Sequence, residues 1–306
     1  MPAARTAPPA IKEQTRKALG YDDPTLVQWK DFMGGIVKGR VYPPNDPELR
    51  EAAPQLVTKC EAPCFGYSQL NLKTVNEEIS EALPITASLA VFALILWLIG
   101  GVALGSIAAL TKGGSFLDRG LVGISLVFYA FPTFFIGLLL LKFVSIKWGL
   151  WDTPVYTPIA EGGVGGKWLY NLFLPSLTLA VVFMAAYVRM TRAFVLEAMS
   201  EDYIRTAHSK GLSTGGRVLR KHTLRAALTP LVTMAGLDFA GLMGGAIITE
   251  FVFNFNGLGK LVVEANRTYD LPTIIGVVIL AASFVIIMNI IVDVLYAVID
   301  PRVRLG

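Results

Sequence analysis

Charge is what this sequence has least of. Only 16% of its 306 residues are Asp, Glu, Lys or Arg, against 54% hydrophobic, whereas a soluble domain carries roughly 25% charged residues. Histidine is as scarce: His208 and His222 are the only two, and their separation in the chain matches no metal-ligand spacing. The two cysteines, Cys60 and Cys64, lie in one polar segment, too few to build a thiolate zinc cluster. No G-x-S-x-G nucleophile elbow occurs. Two glycine-rich stretches come near a phosphate loop and miss. Before Gly166-Lys167 the first glycine position holds Glu161, and Trp168 replaces the Ser or Thr; from Gly211 the spacing is right, but Arg217 stands for the lysine and Val218 follows. These absences exclude a soluble enzyme and leave no catalytic or metal site to assign. If the protein uses ATP, the nucleotide site belongs to another chain.

In place of charge the sequence has long apolar runs. Residues 82–111, 120–141, 168–188 and 271–292 carry no charged side chain, and 226–249 carries only Asp238. A helix crosses a bilayer with about 20 such residues. The pattern predicts an all-α membrane protein with five transmembrane helices, at about 83–110, 120–144, 169–189, 227–249 and 272–298, in a membrane region covering 81–306. The net charge of +4 is carried by loops beside the spans, so nucleic acid is not an expected partner and membrane lipid is.

Charge also orients the chain. Between Arg189 and Arg225 stand eight basic and three acidic residues, which places this loop, 189–225, in the cytoplasm. Alternation then puts the C-terminus inside and residues 1–80 outside. That first segment has ten basic residues, ten acidic residues and nine prolines but no apolar run able to carry it across. We therefore expect a further span ahead of Met1. In an oxidising exterior, Cys60 and Cys64 are expected to close a small disulfide that ties down a proline-rich loop.

Within the basic loop, residues 200–211 read as a short capped helix. Ser200 is its expected N-cap, Glu201 and Asp202 lie at the positive end of the dipole, Lys210 is in the last turn and Gly211 stops it. Tyr203, Ala207 and Gly211 recur at four-residue spacing, which sets an aromatic and two small residues on one side. Such a peg either docks in a groove of a partner or packs back on its own spans.

The residues Val188-Arg189-Met190-Thr191-Arg192, Glu201-Asp202-Tyr203-Ile204-Arg205-Thr206-Ala207 and Lys210-Gly211-Leu212, with His222, Leu224-Arg225, Ala227 and Pro230 after them, resemble the coupling loop of a known family. It is the inner-membrane permease subunit of the dipeptide, oligopeptide and nickel class of ABC importers. Gly245-Ala246-Ile247-Ile248-Thr249-Glu250, Phe253, Gly257-Leu258-Gly259, Tyr269-Asp270, Pro272 and the closing Asp300-Pro301-Arg302-Val303-Arg304 continue the likeness, which covers about Lys73 to Arg304. Three features depart from the family: its first span is missing, Asn256 stands where proline is usual, and Val41 to Pro63 looks inserted. The resemblance implies a type I ABC importer permease (MetI-like) fold in the bacterial cytoplasmic membrane. It also implies partners: a second, homologous permease, two ATPase subunits that bind ATP and Mg, and an extracytoplasmic peptide-binding protein. The expected ATPase-coupling residues are Glu201, Asp202, Tyr203, Arg205, Ala207, Lys210 and Gly211. The expected cargo is a di- or oligopeptide, with nickel or another small solute as the alternative.

Asp238 interrupts an otherwise uncharged span, and a carboxylate at mid-bilayer costs at least about 2.5 kcal/mol. Three readings stand side by side: it lines the translocation path and meets a peptide ammonium, it pairs with a partner's polar group, or it is protonated and structural. A proton-driven carrier built on Asp238 is the competing function. Pro132 is expected to kink the second span, either for packing or to offer a carbonyl to the path.

Overall fold

The computed structural model describes residues 13, 16–17, 20, 22–42, 57–159, 166–211 and 223–299. The chain divides into two compact units, one of residues 1–84 and 260–280, the other of 85–259 and 281–306.

The first unit opens with α1 (Thr25–Lys38), followed by two short hairpins. Strand β1 (Arg40–Tyr42) pairs antiparallel with β2 (Thr58–Cys60), and β3 (Tyr67–Ser68) with β4 (Lys73–Thr74). The turn between α1 and β1 requires glycine: Gly39 has φ 77°, and a Cβ there would lie 2.7 Å from the Cys60 carbonyl oxygen. Cys60 and Cys64 are disulfide-bonded and buried with Tyr42, whose ring stacks on Tyr67 at 5.3 Å. Helix α2 (Val75–Leu110) starts here through a reciprocal cap. The Glu77 N–H donates to Thr74 Oγ1 and the Thr74 N–H donates to Glu77 Oε2, at 3.2 and 3.1 Å. Four buried polar residues close the unit. Ser68 donates to Asp270, the Thr273 hydroxyl lies 2.7 Å from Glu78 and 3.0 Å from Asp270, and Asn71 donates to Glu78. At its edge Lys73 bonds Glu81 at 2.8 Å, and that carboxylate holds the ammonium above the ordinary lysine range.

The second unit is helical. After α2 come α3 (Phe116–Ala130), α4 (Thr133–Leu139) with a wider π-type continuation over Leu140–Lys147, α5 (Trp168–Ser200), α6 (Asp202–Ser209), α7 (Leu224–Met243) and α8 (Ile247–Val252). Helix α9 (Leu258–Thr268), which belongs almost wholly to the first unit, follows, and α10 (Leu271–Ile299), whose first part also belongs there, ends the described chain. Four helices among the described residues are long and apolar enough to cross a membrane: α2, α5, α7 and α10 up to Leu295. Helices need no hydrophobic drive to associate in lipid when small residues let their backbones meet. That is how α2 meets α5: a Cβ on Gly101 would stand 2.6 Å from Tyr187 Cβ, and one on Gly105 2.6 Å from the Val188 carbonyl oxygen.

Three of the expected spans differ from those drawn by hydropathy. The stretch 120–144 is not one kinked helix: α3 and the Thr133–Lys147 segment meet at a 100° bend, and Pro132 is the residue before α4 rather than inside a helix. Its carbonyl accepts the Phe135 N–H at 3.0 Å, as the first turn of α4 requires. The stretch 227–249 ends at Met243, because Gly245 takes φ 125° and its backbone touches Gly259, where a Cβ would lie 2.6 Å away. The third span does not stop at 189 but runs as one helix to Ser200.

Candidate functional site

Helix α5 delivers the first candidate site. Ser200, expected to cap the short helix, belongs instead to the last turn of α5, where its hydroxyl donates to the Glu197 carbonyl at 2.7 Å. Glu201 takes extended geometry, and after this single-residue break α6 begins at Asp202. Gly211, just beyond its end, has φ 78°, the left-handed stop expected of it. The sides of α6 are not those the sequence pattern implied. Ala207 is 9% exposed and clusters with Ile204, at 1%. Tyr203 is 46% exposed. Glu201, Asp202, Thr206, Ser209, Lys210 and Gly211 are exposed with it. The Arg205 side chain and residues 212–222, with His222, lie outside the described residues, as do Asp300 to Arg304.

Two arginines at helical spacing join α5 to α3. Arg192 Nε and Nη2 donate to Asp118 Oδ1 and Oδ2 at 2.7 and 3.0 Å, a bidentate pair of the stronger kind. Asp118 is buried and also accepts the Gly114 N–H at 3.0 Å, while its own N–H donates to the N-cap Ser115 Oγ. The Arg189 guanidinium lies 4.5 Å from the Tyr129 ring centroid, a cation–π contact.

Within the spans, Tyr187 of α5 donates its hydroxyl to Asp238 Oδ2 of α7 at 2.7 Å. Tyr187 is fully buried against Trp97 of α2, ring centroids 6.2 Å apart, so the donor is fixed in place. Asp238 is half-buried and, among the described residues, forms no salt bridge. Pro132, the other residue expected on the path, is exposed at the α3–α4 bend.

The Gly245–Gly259 motif forms one knot. Glu250, wholly buried, accepts the Thr86 hydroxyl at 2.7 Å and the Ala246 N–H at 3.2 Å. Thr86 Oγ1 in turn accepts the Leu258 N–H at 2.8 Å. Gly257 has no room for a side chain, since a Cβ there would stand 2.5 Å from both Glu250 and Thr86. Asn256, where the family pattern has proline, is exposed beside this knot.

Sequence reasoning missed Asp118, Tyr187 and the close glycines Gly101 and Gly105, and gave Thr86, which fits the family pattern, no partner. Two local signals were available. Ser115-x-x-Asp118 is a capping pattern, and Gly101-x-x-x-Gly105 is a helix-contact pattern. The partners of Asp118, Tyr187 and Thr86 are 74, 51 and 164 positions away, beyond any spacing argument.

The model of the family described as binding-protein-dependent transport system inner membrane component matches residues 101–305, and that of its N-terminal part matches 2–90. A probable peptide ABC transporter permease protein of Sinorhizobium fredii is 36% identical over 307 residues, covering 99% of this chain and 89% of the relative. The dipeptide transport system permease protein DppB of Haemophilus influenzae is 40% identical over 257 residues, 78% of this chain and 77% of the relative. DppB of Escherichia coli is 32% identical over 327 residues, covering 99% and 88%. Among solved structures, a chain of the MetNI methionine ABC transporter in inward-facing conformations superposes with a TM-score of 0.58 at 16% identity. The match covers 74% of this chain and 97% of that one, a likeness of fold.

Proposed function

Because the chain belongs to the family of inner-membrane components of binding-protein-dependent transport systems, we propose that it is the permease subunit of an ATP-driven importer of di- and oligopeptides. The chain does no chemistry of its own in this reading. ATP and Mg are bound and used by two partner ATPases, a second homologous permease completes the path, and an extracytoplasmic binding protein delivers the peptide. The C-terminus and the loop 189–225 face the cytoplasm.

The observation that carries the reading is the union of α5 with α6. An uninterrupted 33-residue helix, about 50 Å at 1.5 Å per residue, ends one residue before a short helix that is anchored by Ile204 and Ala207 and exposed at Tyr203. A helix that short is not stable alone in water, so its shape depends on what holds both its sides. Docked in an ATPase groove through Glu201, Asp202, Tyr203, Thr206 and Lys210, it transmits ATPase closure only if its contacts differ between the closed and open states. In the membrane, Asp238, held by Tyr187 and without a cationic partner among the described residues, is the group suited to a peptide's ammonium in transit. The names of the relatives favour peptides over nickel.

The test is reconstitution of this chain with the second permease, the ATPases and the binding protein. Uptake of a labelled dipeptide should require every component and ATP. Tyr203→Cys, in a chain whose own cysteines are bonded to each other, should crosslink to an ATPase subunit. Uptake into vesicles lacking the ATPases would overturn the proposal.

A further inference from the structure

Resting on the reading of α6 as the ATPase contact, we infer that Asp118 and Arg192 are a pair of positioning residues that make α3 move with α5. Arg192 lies eight positions before Ser200, about 12 Å up the helix from the break that starts α6. Its guanidinium is committed at both ends of the Asp118 carboxylate, at 2.7 and 3.0 Å. Asp118 cannot swing with it as a loose side chain. It is buried, in the first turn of α3, and bonded back to the Gly114 N–H at 3.0 Å. A displacement of the foot of α5 is therefore handed to the backbone of α3 at its first turn.

What lies beyond is a chain of contacts with a hinge in it. Helix α3 ends at the 100° bend of Phe131 and Pro132, and α4 then packs between α5 and α8. A Cβ on Gly137 would touch Thr178 of α5 at 3.1 Å and Val252 at the end of α8 at 3.2 Å. Hinges sit at a few element-terminal residues that absorb the change in dihedral angles, and this bend is such a place. Arg189 over Tyr129 adds a second tie on the same two helices. Coupling through the pair is read by perturbing both of its members.

In the assembled, reconstituted transporter, ATP hydrolysis and dipeptide uptake are measured together for D118N, R192Q, the double variant and R192K. The amide that D118N introduces keeps an oxygen for the Gly114 N–H, so the helix start survives. The expected result is complexes that assemble and hydrolyse ATP, with peptide moved per ATP reduced at least about five-fold, the lower end of inter-site coupling. The double variant should be no worse than either single one, and R192K should recover part of the loss by offering the same charge at one point. Wild-type stoichiometry in D118N would overturn the inference, as would losses that multiply in the double variant. If instead the wild-type complex takes up peptide without ATPases, the reading of α6 fails first, a result distinct from either of these.

Discussion

Thr86→Val isolates the knot around Glu250. The substitution nearly preserves shape and removes one hydroxyl, which is the donor to Glu250 at 2.7 Å and the acceptor of the Leu258 N–H at 2.8 Å. Both partners are buried, Glu250 completely and Leu258 likewise, so neither is rescued by bulk water. Leaving a buried backbone N–H unpaired costs about 1–3 kcal/mol, and losing a hydrogen bond about 0.5–1.5 kcal/mol. These overlap rather than add, and about 3 kcal/mol is a fair working figure, which corresponds to about a 150-fold shift in a local opening equilibrium. The opening can be read chemically. Ala246, 5% exposed, lies in the same turn, and Ala246→Cys introduces the one reactive thiol in a chain whose two cysteines are bonded to each other. In the purified protein, alkylation of that introduced thiol should accelerate by about two orders of magnitude when Thr86→Val is added, and Thr86→Ser should label at the parent rate. If Thr86→Val labels as slowly as its parent, the Thr86 hydroxyl does not hold this turn and the argument fails.

Further outcomes follow from other contacts. Gly105→Leu should prevent α2 from seating on α5, because even a Cβ meets the Val188 carbonyl oxygen at 2.6 Å; a cost above about 3 kcal/mol is expected from overpacking against backbone and appears as loss of folded protein on size-exclusion. Tyr203→Ala should leave folding intact, since the residue is exposed, and lower uptake with ATPase activity retained. Ala207→Trp should instead unseat α6, visible as new protease cleavage near Glu201. Asp238→Asn should weaken uptake of free dipeptides while leaving N-acetylated ones unchanged, because only the former carry an ammonium; equal effects on both would exclude Asp238 from ammonium recognition. Thr273→Val should loosen the first unit, whose Glu78 and Asp270 it joins, and a lowered unfolding temperature of the purified protein checks it.

The spans were legible because uncharged runs of bilayer length have few other uses. Their interruptions were not, since apolar residues continue through both breaks and hydropathy does not sense dihedral angles. At 131–132 the proline was visible, but whether it kinks a helix or begins a new one depends on what α4 packs against. At 244–245 the glycines sit inside an apolar run and give no hydropathy signal, yet Gly245 is there for φ 125° and for the backbone of Gly259. On α6 the four-residue pattern of Tyr203, Ala207 and Gly211 did not separate the exposed Tyr203 and Gly211 from the buried Ala207. Ile204 was the better guide, because an isolated large aliphatic in a polar segment is buried first, and Ala207 lies one turn from it on the same side. The family motifs named Glu250 and Arg192 as residues that matter without saying to what they bond. Those answers are tertiary contacts with Thr86 and Asp118.

The second unit therefore distributes stiffness unevenly. Helix α5 is unbroken for 33 residues, is gripped by α2 through Gly101 and Gly105, and is tied to α3 by Arg192. The two breaks lie in the chain on either side of it, at Phe131–Pro132 and at Gly244–Ala246, and the short helices that follow them, α4 and α8, pack on each other. A long helix resists bending over its length, whereas residues between helices change conformation at small cost. A push at α6 is thus carried along α5 with little loss and taken up where α4 and α8 meet, next to the Glu250 knot. On this argument the knot must hold its turn together while that turn moves as a body. That explains why an unusual buried carboxylate is kept there. Replacing it with an apolar side chain would leave the Ala246 N–H and the Thr86 hydroxyl without their acceptor and let the turn open instead of shift.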